Sequence, residues 1–281
     1  MTSTAWVVIT GANSGLGRAT AMALAQLDYP LILACRNTGA AADLATLIKT
    51  NQPTAQVEPV AIDLSDLTSV ARAARTITAI GQVGALINNA GIMLNRGVSP
   101  QGHELTFATN HLGHYALTEW LSEALAPNTV VINVTSNLHR LTRQRNWSAP
   151  PVLQGWHAYA VSKRANLLHT LSLRAAGKDA RAVHPGYVAT NIQRNLALAR
   201  VGNPLFGASS ETAAHITVAA LLADQDSHWY WHPSGWLGLR GKPANQAIPA
   251  FHKREVTQLA ELSKTLIEGH NRRADTPSLS R

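Results

Sequence analysis

Cysteine is all but missing from this 281-residue chain: Cys35 stands alone. No intrachain disulfide can form, and a reducing cytoplasm is the simplest setting. Long apolar runs are missing as well. No stretch approaches the ~18 uninterrupted apolar residues of a membrane span, and Met1 to Thr4 is too short and polar to resemble a secretory signal. The expectation is a soluble, cytoplasmic protein. Acidic residues are scarce beside basic ones, 16 against 24, for a net charge of +8. Such a surplus raises the question of nucleic acid or a membrane surface as partner. Yet no basic block exists: Lys and Arg are scattered, with small groups at Arg140, Arg143 and Arg145 and at Arg272-Arg273. No RNA-binding aromatic motif accompanies them. The surplus reads as a basic solvated surface that favours capture of an anionic ligand. Internal repeats, low-complexity tracts and interdomain linkers are absent too. The 12 histidines include His111 and His114, three apart, and His228 and His232, four apart. Helical His pairs can bind zinc, but no third ligand cluster lies nearby, and no metal site is expected.

What is present is hydrophobic content of 46% in a chain long enough for one large domain with a substantial core. Strands are predicted at Trp6–Thr10, Leu31–Cys35, Val57–Ile62, Ala85–Asn88, Thr129–Thr135, Arg181–His184 and around Trp236–Leu239. Helices are predicted to begin near Leu16, Ala40, Leu67, His103, Ala158, Glu211 and His252. Strands separated by helices require right-handed crossovers and a parallel sheet covered on both faces. The expected fold is α/β, a single Rossmann-type doubly wound parallel sheet of about seven strands. It occupies residues 1–271, and 272–281 form a frayed tail.

Two local patterns carry chemistry. Tyr159 and Lys163 are four apart in a helical segment, so the phenol and the ammonium share one face. A neighbouring cation favours phenolate, and the Tyr159 pKa is expected to fall from about 10 toward neutrality. Near the N-terminus, the apolar run Trp6-Val7-Val8-Ile9-Thr10 feeds Gly11-Ala12-Asn13-Ser14-Gly15-Leu16-Gly17 and then a helix. Strand, glycine loop and helix start together suit a pyrophosphate: the glycines let the backbone approach, and the helix N-terminus offers free N–H groups. An ordinary strand-to-helix turn fits the same residues.

Further segments complete a pattern that resembles the short-chain dehydrogenase/reductase family over most of the chain. Thr10 to Gly17 resembles its cofactor loop, and Asp63-Leu64 its adenine-contacting pair. Asn88-Asn89-Ala90-Gly91 resembles its signature after the fourth strand. Asn110, in Thr109-Asn110-His111-Leu112-Gly113-His114, stands where the family keeps a catalytic Asn. Ser136, after Val130 to Thr135, matches its catalytic Ser. Pro185-Gly186-Tyr187-Val188-Ala189-Thr190 resembles the segment over the nicotinamide. Within the family, Ala34-Cys35-Arg36, the Asn110 stretch and the long interval from Ser136 to Tyr159 look most like the retinol-dehydrogenase and protochlorophyllide-reductase branch. The reductases carry further cysteines, which this chain lacks.

The resemblance implies a nicotinamide cofactor held by Gly11, Asn13, Ser14, Gly15, Leu16, Gly17, Asp63, Leu64, Asn89, Ala90, Gly91, Tyr159, Lys163, Pro185, Gly186, Val188 and Thr190. The second strand selects between cofactors. An NAD binder places a carboxylate about 20 residues past the glycines, on the ribose 2′-OH. This strand instead ends in Cys35-Arg36, and a guanidinium pairs with a 2′-phosphate. NADP(H) is therefore expected, with Arg36 as its reader. The implied reaction moves a hydride between the nicotinamide and a carbonyl or alcohol. Tyr159 is the general acid/base, Ser136 holds the reacting oxygen, Lys163 holds the ribose, and Asn110 places a relay water. The substrate is expected to be a small hydrophobic ketone, aldehyde or alcohol. Trp147, Trp156, Trp229, Tyr230, Trp231 and Trp236 could line its pocket or pack the core, and 191–210 could form a lid. The resemblance also implies pairing of two copies through the helices near His103 and Ala158. The alternative is a non-catalytic NADP(H)-binding sensor or scaffold.

Overall fold

The computed structural model describes residues 5–93, 97–142, 146–186, 209–225, 228–235, 238–247 and 251–274, with side chains described up to His270. The chain alternates: β1 (Trp6–Thr10), α1 (Gly15–Ala25), β2 (Leu31–Cys35), α2 (Thr38–Asn51), β3 (Val57–Ala61), α3 (Leu67–Ile80) and β4 (Val83–Asn88). A broken helix follows. It starts as α4 (Leu105–Phe107), passes through a π-helical turn (Ala108–Leu112) and continues as α5 (Gly113–Trp120). Then come β5 (Leu125–Val134), a 3-10 turn (Asn137–Leu141), α6 (Gly155–Ala175), β6 (Asp179–Val183), α7 (Ser210–Leu222), β7 (Tyr230–Pro233), β8 (Pro243–Gln246) and α8 (Lys253–Ala274).

One sheet carries these strands in the order β3-β2-β1-β4-β5-β6-β7-β8. The pairs from β3 through β7 are parallel, and β8 is antiparallel to β7. β1, β2 and β4 read as continuous apolar runs because helices cover both their faces. Alternation sends Val8, Ile32 and Leu86 to one layer with Val70 and Ile77 of α3 and Leu168 of α6. Val7, Ile9, Leu31 and Leu33 enter the other layer with Leu24 of α1, Ile48 of α2 and Ile216 of α7. Chain order reverses between β1 and β4, which opens a crevice beyond the C-terminal strand ends.

Two expectations need correction. The sheet has eight strands among the described residues, one more than predicted, and the seventh is Tyr230–Pro233 rather than Trp236–Leu239. Tyr230 and Trp231 are the buried residues that pair with β6. Gly238 and Leu239 lie in the connection to β8, closed by Gly235 N–H on the Arg240 carbonyl (3.0 Å); Trp236 and Leu237 fall outside the described residues. β8 escaped notice because Pro-Ala-Asn-Gln has no apolar period, a composition tolerated at a sheet edge. Helix α8 runs through Ala274, so its backbone takes in the first three residues of the expected tail.

Candidate active site

The crevice beyond β1 and β4 holds a cavity of about 610 Å³. Gly11, Asn13, Ser14, Gly15, Leu16 and Gly17 form one wall. Gly17 must be glycine, since a Cβ there would stand 2.3 Å from the Gly11 carbonyl oxygen and 2.6 Å from Asn89 Nδ2. That closeness brings the start of α1 against the loop. Ser14 is the N-cap of α1, yet its side chain caps no N–H. The first-turn donors of α1 are thus left for an anion in the cavity. Asn89, Ala90 and Gly91 line the floor, and Thr10 fastens them: its Oγ1 accepts from Asn89 N–H (2.9 Å) and Ala90 N–H (3.0 Å).

The opposite wall is built where β5 ends against α6. Lys163 Nζ donates to the Val134 carbonyl (3.0 Å), Asn166 Nδ2 donates to the same oxygen (3.1 Å), and Thr135 Oγ1 donates to the Lys163 carbonyl (2.8 Å). These bonds carry Ser136, Tyr159 and Lys163 to one wall. Ser136 and Tyr159 face the cavity from the same wall, and Lys163 Nζ lies 5.6 Å from the Tyr159 ring centre.

The Tyr159 pKa does not fall as the spacing led one to expect. Burial of its hydroxyl pushes it up to about 12, and the nearby Ser136 hydroxyl offsets only part of that. Lys163 moves the other way: burial lowers it to about 8. At the observed separation, with the ammonium turned to Val134, desolvation outweighs the attraction. Asn110 sits behind the wall rather than on it. It is fully buried, and its amide is fully engaged: Oδ1 accepts from Ile92 N–H (2.8 Å), while Nδ2 donates to the Ile92 carbonyl and to Ser162 Oγ (2.9 Å each).

At the far end of the cavity stand Arg36, exposed at its margin, with Asp63 and Leu64. One Asp63 oxygen is occupied by Ser65 N–H and Oγ–H. Pro185 and Gly186 close the other end beside His184, which burial pushes to about 3 and so keeps neutral. Val188, Thr190 and most of 191–210 lie outside the described residues. Among the aromatic candidates with described side chains, only Trp156 reaches the cavity. Trp147, Tyr230 and Trp231 are core.

The short chain dehydrogenase family profile matches residues 5–200. The chain belongs to that family. Retinol dehydrogenase 12 of mouse (Mus musculus) is 36% identical over 236 residues, which cover 78% of this chain and 73% of that protein. Human retinol dehydrogenase 11 is 37% identical over 205 residues, 69% of this chain and 64% of its own length. Within the short-chain dehydrogenases the chain therefore falls in the retinol-dehydrogenase-like branch, and it is an oxidoreductase by family. A solved, uncharacterised protein from Mycobacterium paratuberculosis superposes with a TM-score of 0.71 at 34% identity, covering 94% of each chain.

The residues present fit a nicotinamide dinucleotide: a glycine wall with free helix donors meets a Tyr-Lys-Ser wall across one cavity. Sequence reasoning missed several of the cavity's apolar residues, namely Ile92, Met93, Leu138, Leu141 and Leu239. They lie in irregular segments without periodicity, and no signal marks them. It also read His114 only as half of a metal pair. Its ring instead bonds Thr10 and Asn110, and among the described residues no group of three or more His, Cys, Asp and Glu could hold a metal ion.

Proposed function

We propose that this short-chain dehydrogenase uses NADP(H) to interconvert a hydrophobic ketone or aldehyde and its alcohol, with Tyr159 as general acid/base. The observation that carries the proposal is the convergence of Ser136, Tyr159 and Lys163 on one wall of a single cavity whose opposite wall is the glycine loop. The bound nicotinamide supplies or accepts the hydride. In the reducing direction Tyr159 gives its hydroxyl proton to the carbonyl oxygen. A phenol held near 12 carries its proton at neutral pH, and the Lys163 ammonium beside the phenolate must lower the cost of giving it up. Ser136 hydrogen-bonds the same oxygen and stabilises its developing charge. Lys163, more than half protonated at pH 7 with a pKa near 8, stabilises the phenolate left behind and by resemblance holds the ribose. Asn110 anchors Ile92, next to Gly91, and by resemblance places the water that returns the proton from solvent.

The cofactor choice is supported by Arg36 at the cavity margin after β2, where the strand end offers no carboxylate. The substrate class is supported by the apolar side chains of Met93, Leu138, Leu141, Trp156 and Leu239 on the cavity wall. It also agrees with the retinol dehydrogenases among the relatives.

The test is a spectrophotometric panel of apolar ketones, aldehydes and alcohols with NADPH or NADP⁺ and with the NAD forms. Turnover with the NADP forms is expected. Tyr159→Phe should lower kcat by about 10²–10⁴-fold while NADPH still quenches or shifts protein fluorescence at wild-type concentrations. Wild-type turnover in Tyr159→Phe would remove the proton-transfer role. Binding of NADPH without turnover on any panel member would favour a sensor.

A further inference from the structure

The buried ring of His114 lies between the two walls of the site and has four features that fix its chemistry. It is 1% exposed. Nδ1 is 2.9 Å from the Asn110 carbonyl oxygen, and Nε2 is 2.8 Å from Thr10 Oγ1. Thr10 Oγ1 in turn accepts from Asn89 N–H and Ala90 N–H. A carbonyl can only accept, so Nδ1 must carry the proton. Backbone N–H groups can only donate, so they fill both lone pairs of the Thr10 hydroxyl. The single Thr10 proton then points to Nε2 at 2.8 Å rather than to the Ile87 carbonyl at 3.3 Å. A second ring proton would meet an oxygen with no free lone pair. Burial acts in the same direction, lowering the ring to about 4 and keeping it neutral.

The chain of bonds therefore has one polarity: Asn89 and Ala90 N–H to Thr10, Thr10 to His114, His114 to Asn110. We propose that His114, as the neutral Nδ1–H tautomer, is a positioning residue that locks the cofactor loop to Asn110. One end of the clamp governs the floor and glycine wall, because Thr10 immediately precedes Gly11 and holds Asn89 and Ala90. The other end governs Asn110, which lies in the π-helical turn Ala108–Leu112. Inserted turns of this kind are poor in intrinsic stability and gather at functional sites. Asn110 passes its position on through Ile92 and through Gly91, where an added Cβ would lie 3.4 Å from both Asn110 Oδ1 and Lys163 Nζ. The kinetic part of this inference rests on the proposed NADP(H) chemistry, whereas the tautomer does not.

Two substitutions cut the two ends separately. The amide of His114→Asn reaches the Nδ1 position and can still donate to Asn110, but leaves Thr10 without its acceptor. The longer amide of His114→Gln reaches the Nε2 position and can still accept from Thr10, but frees the Asn110 carbonyl. His114→Asn should weaken NADPH binding, measured by fluorescence titration, by about fivefold, as one lost hydrogen bond would. Its kcat at saturating cofactor should stay within about twofold of wild type. His114→Gln should leave the NADPH Kd within about twofold and lower kcat about tenfold through misplacement of the groups behind Lys163. Histidine ring ¹⁵N NMR of the wild-type chain, with the His114 signals assigned by their loss in whichever variant folds, should show a protonated Nδ1 and a bare Nε2. The Nε2–H tautomer would overturn the proposal, as would two variants that match wild type in both quantities or lose both quantities alike. Absence of turnover on every carbonyl and alcohol would instead sink the functional reading, and the titration and the NMR spectrum would still decide the clamp.

Discussion

Lys163 holds an ammonium that is 2% exposed, with one hydrogen bond, to a carbonyl that Asn166 also serves. Its pKa drops from 10.5 to about 8 through burial, which makes it a cost to the fold. Between about pH 8 and 10.5 the unfolded chain binds this proton and the folded one does not, so the group's contribution rises with pH through that window. Below pH 8 the full cost, on the order of 3 kcal/mol, weighs on the native state. Lys163→Met should therefore abolish turnover yet raise stability at pH 7 by about 1–3 kcal/mol, because Val134 keeps its Asn166 donor. The gain should vanish by about pH 10.5, and urea unfolding at both pH values checks it. An equal or lower stability at pH 7 would mean that the ammonium is better solvated than its burial implies. Arg36 sits at the opposite extreme, exposed and at the cavity's edge. Arg36→Asp should weaken NADPH by at least tenfold and leave NADH within about twofold, since a carboxylate repels the 2′-phosphate alone. Titration with both cofactors reads this out, and equal loss would remove Arg36 as the reader. These residues were legible in the sequence because motif spacing reports which side chains meet. The protonation of Tyr159 and Lys163 was not, because a pKa depends on how deep the wall is, and the Tyr-Lys spacing says nothing of desolvation.

The elements divide in the same way. β1, β2 and β4 were visible as apolar runs because both of their faces are covered, and the glycine loop announced the start of α1. The π-helical turn before α5 was not visible. Where it ends, Gly113 packs so closely on the loop after β3 that a Cβ would stand 2.2 Å from the Leu64 carbonyl oxygen. No local pattern encodes that contact. The docking of α8 is equally non-local. Glu255, 1% exposed, accepts from Arg164 Nε (2.7 Å) and Nη2 (2.6 Å) and from Trp147 Nε1 (3.3 Å), while the Arg164 guanidinium lies 4.8 Å over the Phe251 ring. Arg164 follows Lys163 directly in α6, so this ion pair ties α8 to the helix that carries Tyr159 and Lys163. Removing Glu255 would leave the Arg164 guanidinium in the interior without its carboxylate. Glu255→Ala should cost about 3–5 kcal/mol in urea unfolding, whereas the apolar double replacement Arg164→Met with Glu255→Leu should recover most of it. If the double variant is no more stable than the single one, the pair does more than neutralise itself.

On the scale of the whole molecule, α8 changes what the two central helices can do. The resemblance implied that the helices near His103 and Ala158 would pair two copies of the chain. Within one chain, α8 packs against part of that face. His111 Nε2 bonds Ser263 Oγ (2.9 Å), Tyr115 Oη donates to the Ala260 carbonyl (3.4 Å), and the Trp120 and His270 rings lie 6.5 Å apart. Leu259 and Ile267 of α8 are buried in the same layer as Leu168 of α6 and Leu117 of α5. A second copy pairing through the surface that α8 covers would have to displace α8, which would expose those leucines and the Arg164–Glu255 pair together. A stable dimer face needs roughly 800 Å² of free complementary surface on each partner, and α8 already takes part of the face of these two helices. The full chain is therefore expected to sediment as a monomer at micromolar concentration, with a mass that does not change on tenfold dilution. A dimer whose formation is blocked by charge substitutions on the outer face of α8, such as Lys264→Glu (68% exposed side chain), would show instead that α8 is itself the pairing surface. In either outcome the helix that carries Tyr159 and Lys163 is braced from behind, by its own chain alone or by its own chain and a second copy.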